Sequence, residues 1–167
     1  MKQTSRNRFG AFSVVAVLGF GGLLPSCVPR PPRARSSVVP TTSTIVQLVN
    51  QQRAAAGVGA VTESSALDSA ALTQSYNQAI AQLMSHTGPD GSNAGQRITD
   101  AGYSWSTWGE NVAAGQPNVN AVMTAWMNSP PHRANILSPA FTNIGLASLI
   151  GSNGVVYWTM ELAGASR

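Results

Sequence analysis

The sequence is short of the residues from which most reactive sites are built. Of its 167 residues, six are acidic, two are histidine and one is cysteine. One cysteine excludes an internal disulfide, so the fold must hold by packing and hydrogen bonding. Charged side chains make up only 10% of the chain, which leaves few ways to assemble acid–base or metal chemistry. No His-Glu-x-x-His motif is present to support a metalloprotease, and no Gly-x-Ser-x-Gly elbow to support a serine hydrolase. The uncharged apolar stretch from Phe9 to Leu24 falls short of the roughly 20 residues that span a bilayer.

The reactive residues that are present cluster. His86 lies in Ser85-His86-Thr87-Gly88-Pro89-Asp90-Gly91, and His132 in Asn128-Ser129-Pro130-Pro131-His132-Arg133-Ala134-Asn135-Ile136-Leu137. Between them stands Glu110, in Gly109-Glu110-Asn111-Val112. These three are the first candidates for a polar site.

The N-terminal region sets the compartment. Lys2, Arg6 and Arg8 precede the uncharged stretch, which is the pattern of a secretory signal. Leu24-Pro25-Ser26-Cys27 resembles the bacterial lipobox, in which cleavage leaves a lipid-modified cysteine as the new N-terminus. We therefore expect a signal peptide over 1–26, lipidation at Cys27 and a tether over 27–43 rich in Pro, Arg, Ser and Thr. An unmodified secreted protein and an uncut signal anchor are the alternatives. Each places the folded part outside the cytoplasm.

Six of the ten basic residues lie before residue 36, and all six acids lie after it. The remainder holds four basic against six acidic side chains, so the formal charge of +4 belongs to the leader and tether. It is no sign of a nucleic-acid partner. A basic tether would favour anionic lipid headgroups, or serve only as a solvated linker.

From residue 44 to 164 the length suits one domain. Thr44 with Gln47 forms a capping-box pattern, and Ile45, Leu48, Val49 and Gln52 share a face, predicting a helix over 45–56. Ser65 with Asp68 opens a second helix, in which Leu67, Ala71, Tyr76, Ile80, Leu83 and Met84 form the stripe. Asn93 with Gln96 caps a third that stops at Gly102, and Asn118 a fourth that Pro130 ends. The period then changes. Phe141–Leu149 and Val155–Leu162 flank Gly151-Ser152-Asn153-Gly154, a hairpin signal. Val156, Trp158, Met160 and Leu162 face one way, and Tyr157, Thr159 and Glu161 the other. The pattern is α+β.

These motifs together resemble the CAP superfamily of cysteine-rich secretory proteins, antigen 5 and pathogenesis-related proteins, in its bacterial form. The matching pieces are Val49-Asn50-Gln51-Gln52-Arg53, the three motifs around His86, Glu110 and His132, Thr142-Asn143-Ile144-Gly145 and Tyr157-Trp158-Thr159. The resemblance implies a three-layer α-β-α sandwich around a three-stranded antiparallel sheet. It also implies a shallow cleft of two histidines and two glutamates, which binds a divalent metal in some members. His86, Glu110 and His132 match three of these. The second glutamate follows the helix tryptophan by three positions, where this chain has Ser129, with Asn128 beside it. The implied cleft is therefore His86, Glu110, His132, Asn128 and Ser129, with the first three as the metal set.

Two imidazoles, one carboxylate and a water meet the count for a zinc site if they converge. Ser129, His132 and Glu110 can be drawn as a hydrolytic triad, but Ser129 is better explained as ending a helix before two prolines. The architectural alternatives are that Glu110 accepts backbone N–H bonds and that His86 caps the helix ending at Met84. In the same reading, His132 and Arg133 cap a short helix from Arg133 to Leu137. Trp105, Trp108, Trp126 and Trp158 read as core or cleft wall rather than a sugar platform, with Trp105 and Trp108 the most exposed.

The expectation is an exported, lipid-anchored binding module, taking a lipid- or sterol-like ligand or zinc, with no nucleic-acid partner. The alternatives are a structural or interaction domain, or a metal-dependent hydrolase of envelope or extracellular polymers. The missing glutamate counts against the hydrolase, because it removes the spare carboxylate for general-base work.

Overall fold

The strand Val156–Ala165 is buried on both faces, and the other elements are arranged to cover it. A computed structural model describes residues 42–166, so the leader, Cys27 and residues 28–41 lie outside the described residues. The elements run α1 (Thr42–Ala55), β1 (Thr62–Glu63), α2 (Ser65–Ala81), α3 (Ala94–Asp100) and β2 (Trp105–Ala114). They continue with α4 (Val119–Asn128), α5 (Pro130–Ile136), β3 (Asn143–Ile150) and β4 (Val156–Ala165).

The sheet order is β1-β3-β4-β2. β3 and β4 form the expected antiparallel hairpin, with Gly154 at φ +76° supplying the left-handed turn residue. β2 returns antiparallel along the other side of β4. The three-layer arrangement is as expected. A fourth strand is present because Thr62 and Glu63 pair in parallel with Asn143 and Ile144 of β3.

Period-two alternation in β4 feeds two cores. Trp158, Met160 and Leu162 join Ile45, Val49, Val122, Trp126 and Ile136, which α1, α4 and α5 supply. Burying each such side chain contributes roughly 1.5–3 kcal/mol. On the other face Ala163 packs with Leu67, Ala70 and Ile98 of α2 and α3. There Thr159 accepts hydrogen bonds from Ser75 Oγ and Gln78 Nε2 of α2, at 3.0 Å each.

α2 departs from its expected stripe. Its buried residues are Leu67, Ala70, Ala71, Gln74, Ser75, Gln78 and Ala79, while Tyr76, Ile80, Leu83 and Met84 are exposed. The cause is close approach to the sheet. A Cβ at Gly145 of β3 would lie 2.1 Å from the Leu67 carbonyl carbon, so small residues and amides face inward. The helix stops at Ala81, where Gln82 turns left-handed at φ 53°, rather than running on to Met84.

The caps divide similarly. Asn93 and Gln96 form the full capping box, and the Asn118 side chain accepts from Ala121 N, both as expected. Thr44 instead falls inside α1, which begins two residues before the expected domain boundary. Ser64, not Ser65, is the N-cap of α2, and Asp68 Oδ1 accepts from Leu146 N at 2.8 Å. That bond ties α2 to β3.

Gln52 is exposed, and the buried polar residue of α1 is Arg53. Its Nε donates to Gly59 O, its Nη1 to Ile136 O and Ser138 O, and its Nη2 to Phe141 O, all within 2.9 Å. Both cores draw on residues between Ile45 and Ala163. Arg35–Arg167 forms a compact unit that contains them all.

Candidate functional site

Gly109-Glu110-Asn111-Val112 forms the middle of β2, at one end of the sheet order. Alternation sends the two polar side chains to opposite layers. Glu110 meets α3 and the segment after α2, and Asn111 meets α5.

Glu110 is buried between His86 and Arg97. Its Oε1 lies 2.7 Å from His86 Nδ1, and its Oε2 accepts from Arg97 Nη2 at 2.6 Å. Arg97, on α3, also donates to Ser92 O and His86 O, which fixes the loop carrying His86. The His86 side chain remains 60% exposed. Hydrogen bonding to Glu110 raises its pKa above the ordinary 6.5, outweighing partial burial and the Arg97 charge, which lower it.

On the far side of β2, Asn111 Nδ2 donates to His132 O at 3.1 Å. Asn135 Nδ2 donates to Glu110 O and to Asn111 Oδ1. The motif around His132 thus holds the strand through a backbone carbonyl and an asparagine. Burial, and then the charge of His86, lower the pKa of His132 below 6.5.

A second carboxylate is present where sequence reasoning did not place it. Glu161 of β4 is directly opposite Glu110 and has no exposed surface. Neither of its oxygens receives a hydrogen bond from any N–H or O–H donor, and Arg97 Nε is also without a partner. Burial, reinforced by Glu110, pushes the Glu161 carboxyl well above its ordinary 4.5. That direction favours a neutral Glu161 acid beside the Glu110 carboxylate, with one negative charge on the pair. The alternation in β4 put Glu161 on the face away from Trp158, but a β2–β4 register cannot be read from one sequence.

The expected site residues do not all come together. His86 and Glu110 form a hydrogen-bonded pair, whereas the His132 side chain makes no hydrogen bond to either among the described residues. Asn128 instead lines a groove between α1 and α4, with Leu48, Gln52, Met123 and Met127. Ser129 ends α4 and begins α5, as its position before the prolines predicted. No hydrogen bond joins Ser129 to His132, so the drawn triad is not formed. The three architectural alternatives are also revised. Glu110 accepts from side chains, His86 does not cap α2, and His132 lies inside α5, which begins at Pro130.

A carboxylate-held imidazole can act as a base, but among the described residues no hydroxyl hydrogen-bonds to His86, so no partnered nucleophile stands beside it there. Zinc fits the donor set poorly as placed. Glu110 is committed to His86 and Arg97, the guanidinium would repel a cation, and no three potential ligands converge among the described residues.

Comparison with known proteins places this geometry. Residues 46–162 match the family described as "CAP: Cysteine-rich secretory protein family". The Bacillus subtilis (strain 168) protein YkwD is 33% identical over 131 residues, 78% of this chain and 50% of its own length. The chain thus spans half of the curated relative it matches. An outer surface protein of Borrelia burgdorferi has a TM-score of 0.70 at 19% identity, over 78% of this chain and 99% of that one. An extracellular protein containing an SCP domain, from Bacillus anthracis str. Ames, has a TM-score of 0.65 at 23% identity. That match covers 72% of this chain and 39% of the other. At these identities the two structures speak to fold alone.

Proposed function

The chain belongs to the CAP family of cysteine-rich secretory proteins, and from that premise we propose that it is an extracytoplasmic binding module whose α2 face contacts lipid. One observation carries this reading. Leu72, Tyr76, Ile80, Leu83 and Met84 are between 49% and 68% exposed. The first three recur every fourth residue on one face of α2, and the last two continue it beyond the helix end.

Such a stripe is out of place on a fully solvated surface. The chain carries no Lys, Arg, Asp or Glu from Ser69 to Pro89, and His86, the one histidine in that stretch, is tied to Glu110, so little charge opposes entry of this face into an interface. Tyrosine suits the boundary, with an apolar ring and a wet hydroxyl. A lipid anchor at Cys27 would supply the occupant. A tether over 27–43 could reach at most roughly 50 Å at about 3.1 Å per residue, so the domain would stay near the bilayer. At that effective concentration a weak contact suffices.

Co-sedimentation of the Arg35–Arg167 unit with phosphatidylcholine vesicles, with and without phosphatidylglycerol, tests this. Wild type should bind both. An Ile80→Ser, Leu83→Ser double variant should lose binding while retaining its melting temperature. A wild type that ignores both vesicles, or forms a dimer that the double variant abolishes, would replace lipid by no partner or by a second copy.

A further inference from the structure

Four tryptophans serve two different purposes. Trp126 and Trp158 are fully buried in the first core, as large core aromatics should be. Trp105 and Trp108 are only half-buried, and they border a groove of about 510 Å³ between α3 and the start of β2. This groove is separate from the α2 stripe and from the His86–Glu110 pair.

Both indoles are held in place. Trp105 Nε1 donates to Thr99 Oγ1 at 2.9 Å and to Gly95 O at 3.2 Å. Trp108 lies against the backbone of α3 at Gly95, where a Cβ would come within 2.5 Å of its Nε1. The two rings stand edge to face, 6.4 Å between centroids and 85° between planes. Little side-chain entropy remains to be lost when a ligand stacks on them.

The rest of the lining is polar. Asn93 and Gln96 spend one oxygen each on their reciprocal capping box, which fixes both side chains. Among the described residues nothing accepts from their amide N–H groups, which leaves these able to donate. Asp90 and Asp100 add carboxylate acceptors, and no cationic side chain lines the groove. Fixed aromatic faces, amide donors and carboxylate acceptors together match a ring with an apolar C–H face and a rim of hydroxyls. Phosphate or another anion would meet two carboxylates and no cation. A purely apolar ligand would strand the amides and carboxylates unpaired.

We propose that the Trp105–Trp108 groove is a saccharide-binding site, taking neutral or amino-substituted hexose units of a polysaccharide. The indoles stack on sugar faces, Asn93 and Gln96 donate to ring substituents, and Asp90 and Asp100 accept from hydroxyl or ammonium groups. This proposal does not depend on lipid contact by α2.

The probes are chitohexaose, its fully deacetylated form and cellohexaose, titrated into the Arg35–Arg167 unit by calorimetry and tryptophan fluorescence. At least one should bind saturably and protect the fluorescence from iodide quenching. Trp105→Ala and Trp108→Ala should each weaken binding ten-fold or more, on the order expected for losing one stacked aromatic. Gly95→Ala should weaken it by displacing Trp108, and Asp100→Asn should weaken the deacetylated probe most. The Ile80→Ser, Leu83→Ser variant should bind sugar as wild type does. If an alanine variant unfolds, quenching protection in wild type and weakened binding in Trp105→Phe remain as readouts. Absence of binding and protection with all three probes overturns the proposal. So does binding unchanged in folded Trp105→Ala, or a preference for anionic polygalacturonate.

Discussion

Glu161 stands directly across from Glu110 on adjacent strands, and Arg97 is the cation that approaches the pair. Two carboxyl groups share one interior with one guanidinium, so one of them must keep its proton. Glu110 already has His86 and Arg97 as partners and Glu161 has no donor, so Glu161 is the one, in line with the upward direction of its pKa.

A pH dependence follows with a definite sign. Below about pH 4.5 both folded and unfolded chains hold the Glu161 proton. As pH rises, the unfolded chain releases it and the folded chain does not, so stability falls, at a slope approaching about 1.4 kcal/mol per pH unit. Urea unfolding between about pH 5 and 6 should show this fall in wild type but not in Glu161→Gln, which keeps the neutral shape. Equal slopes would mean that Glu161 is ionised and paired in the fold.

The two histidines should titrate apart. In an NMR titration the His86 ring should change charge above pH 6.5 and that of His132 below it. Stability from the His86–Glu110 pair is fully present below 6.5 and is lost as pH rises through the folded pKa. For His132 the contribution is present above 6.5 and is lost as pH falls. Glu110→Gln should bring His86 back down. It should also destabilise the domain, by at most about 3–5 kcal/mol, because Arg97 loses its hydrogen-bonded carboxylate, and by less if Glu161 gives up its proton in compensation.

Zinc calorimetry gives a third check. Because an ion must displace Arg97 from Glu110, wild-type uptake near neutral pH should be weak, and His86→Ala and His132→Ala should each abolish what there is. Tight, stoichiometric uptake by wild type would show that Arg97 withdraws to expose a metal centre.

Gly145→Ala should be costly although it adds one methyl group. The new Cβ would meet the backbone of Leu67 and Asp68 at 2.1 and 2.3 Å, and neither can rotate away. A loss of about 1–3 kcal/mol is expected from such overpacking. Thermal melts compared with Gly59→Ala, where nothing lies within 4 Å, provide the control.

The sequence was most legible where local rules govern. The Asn93 box, the Asn118 cap, the hairpin at Gly154 and the alternation of β4 all stood in plain view because each is settled within a few residues. It misled along α2, where a periodic apolar stripe looked like a core face. The sheet side approaches the α2 backbone closely at both ends of the helix, at Gly145 against Leu67 and at Gly151 against Ala79, and neither approach can be read from the helix sequence. Glu110 and His86 were found because their motifs are distinctive. Arg97 and Glu161 complete the cluster but sit in unremarkable surroundings, and only the strand register and the placement of α3 bring them together.

Arg53 carries a consequence for the order in which the domain assembles. Its guanidinium is satisfied by carbonyls of Ile136, Ser138 and Phe141, more than 80 residues further along the chain. Until those residues are available the cation lacks three of its four carbonyl partners, so closing α1 over the core would bury it largely unpaired. A chain synthesised from its N-terminus therefore stays open at α1 until most of the domain has been made. Such a late lock holds the domain open until nearly all the residues of its core have been supplied.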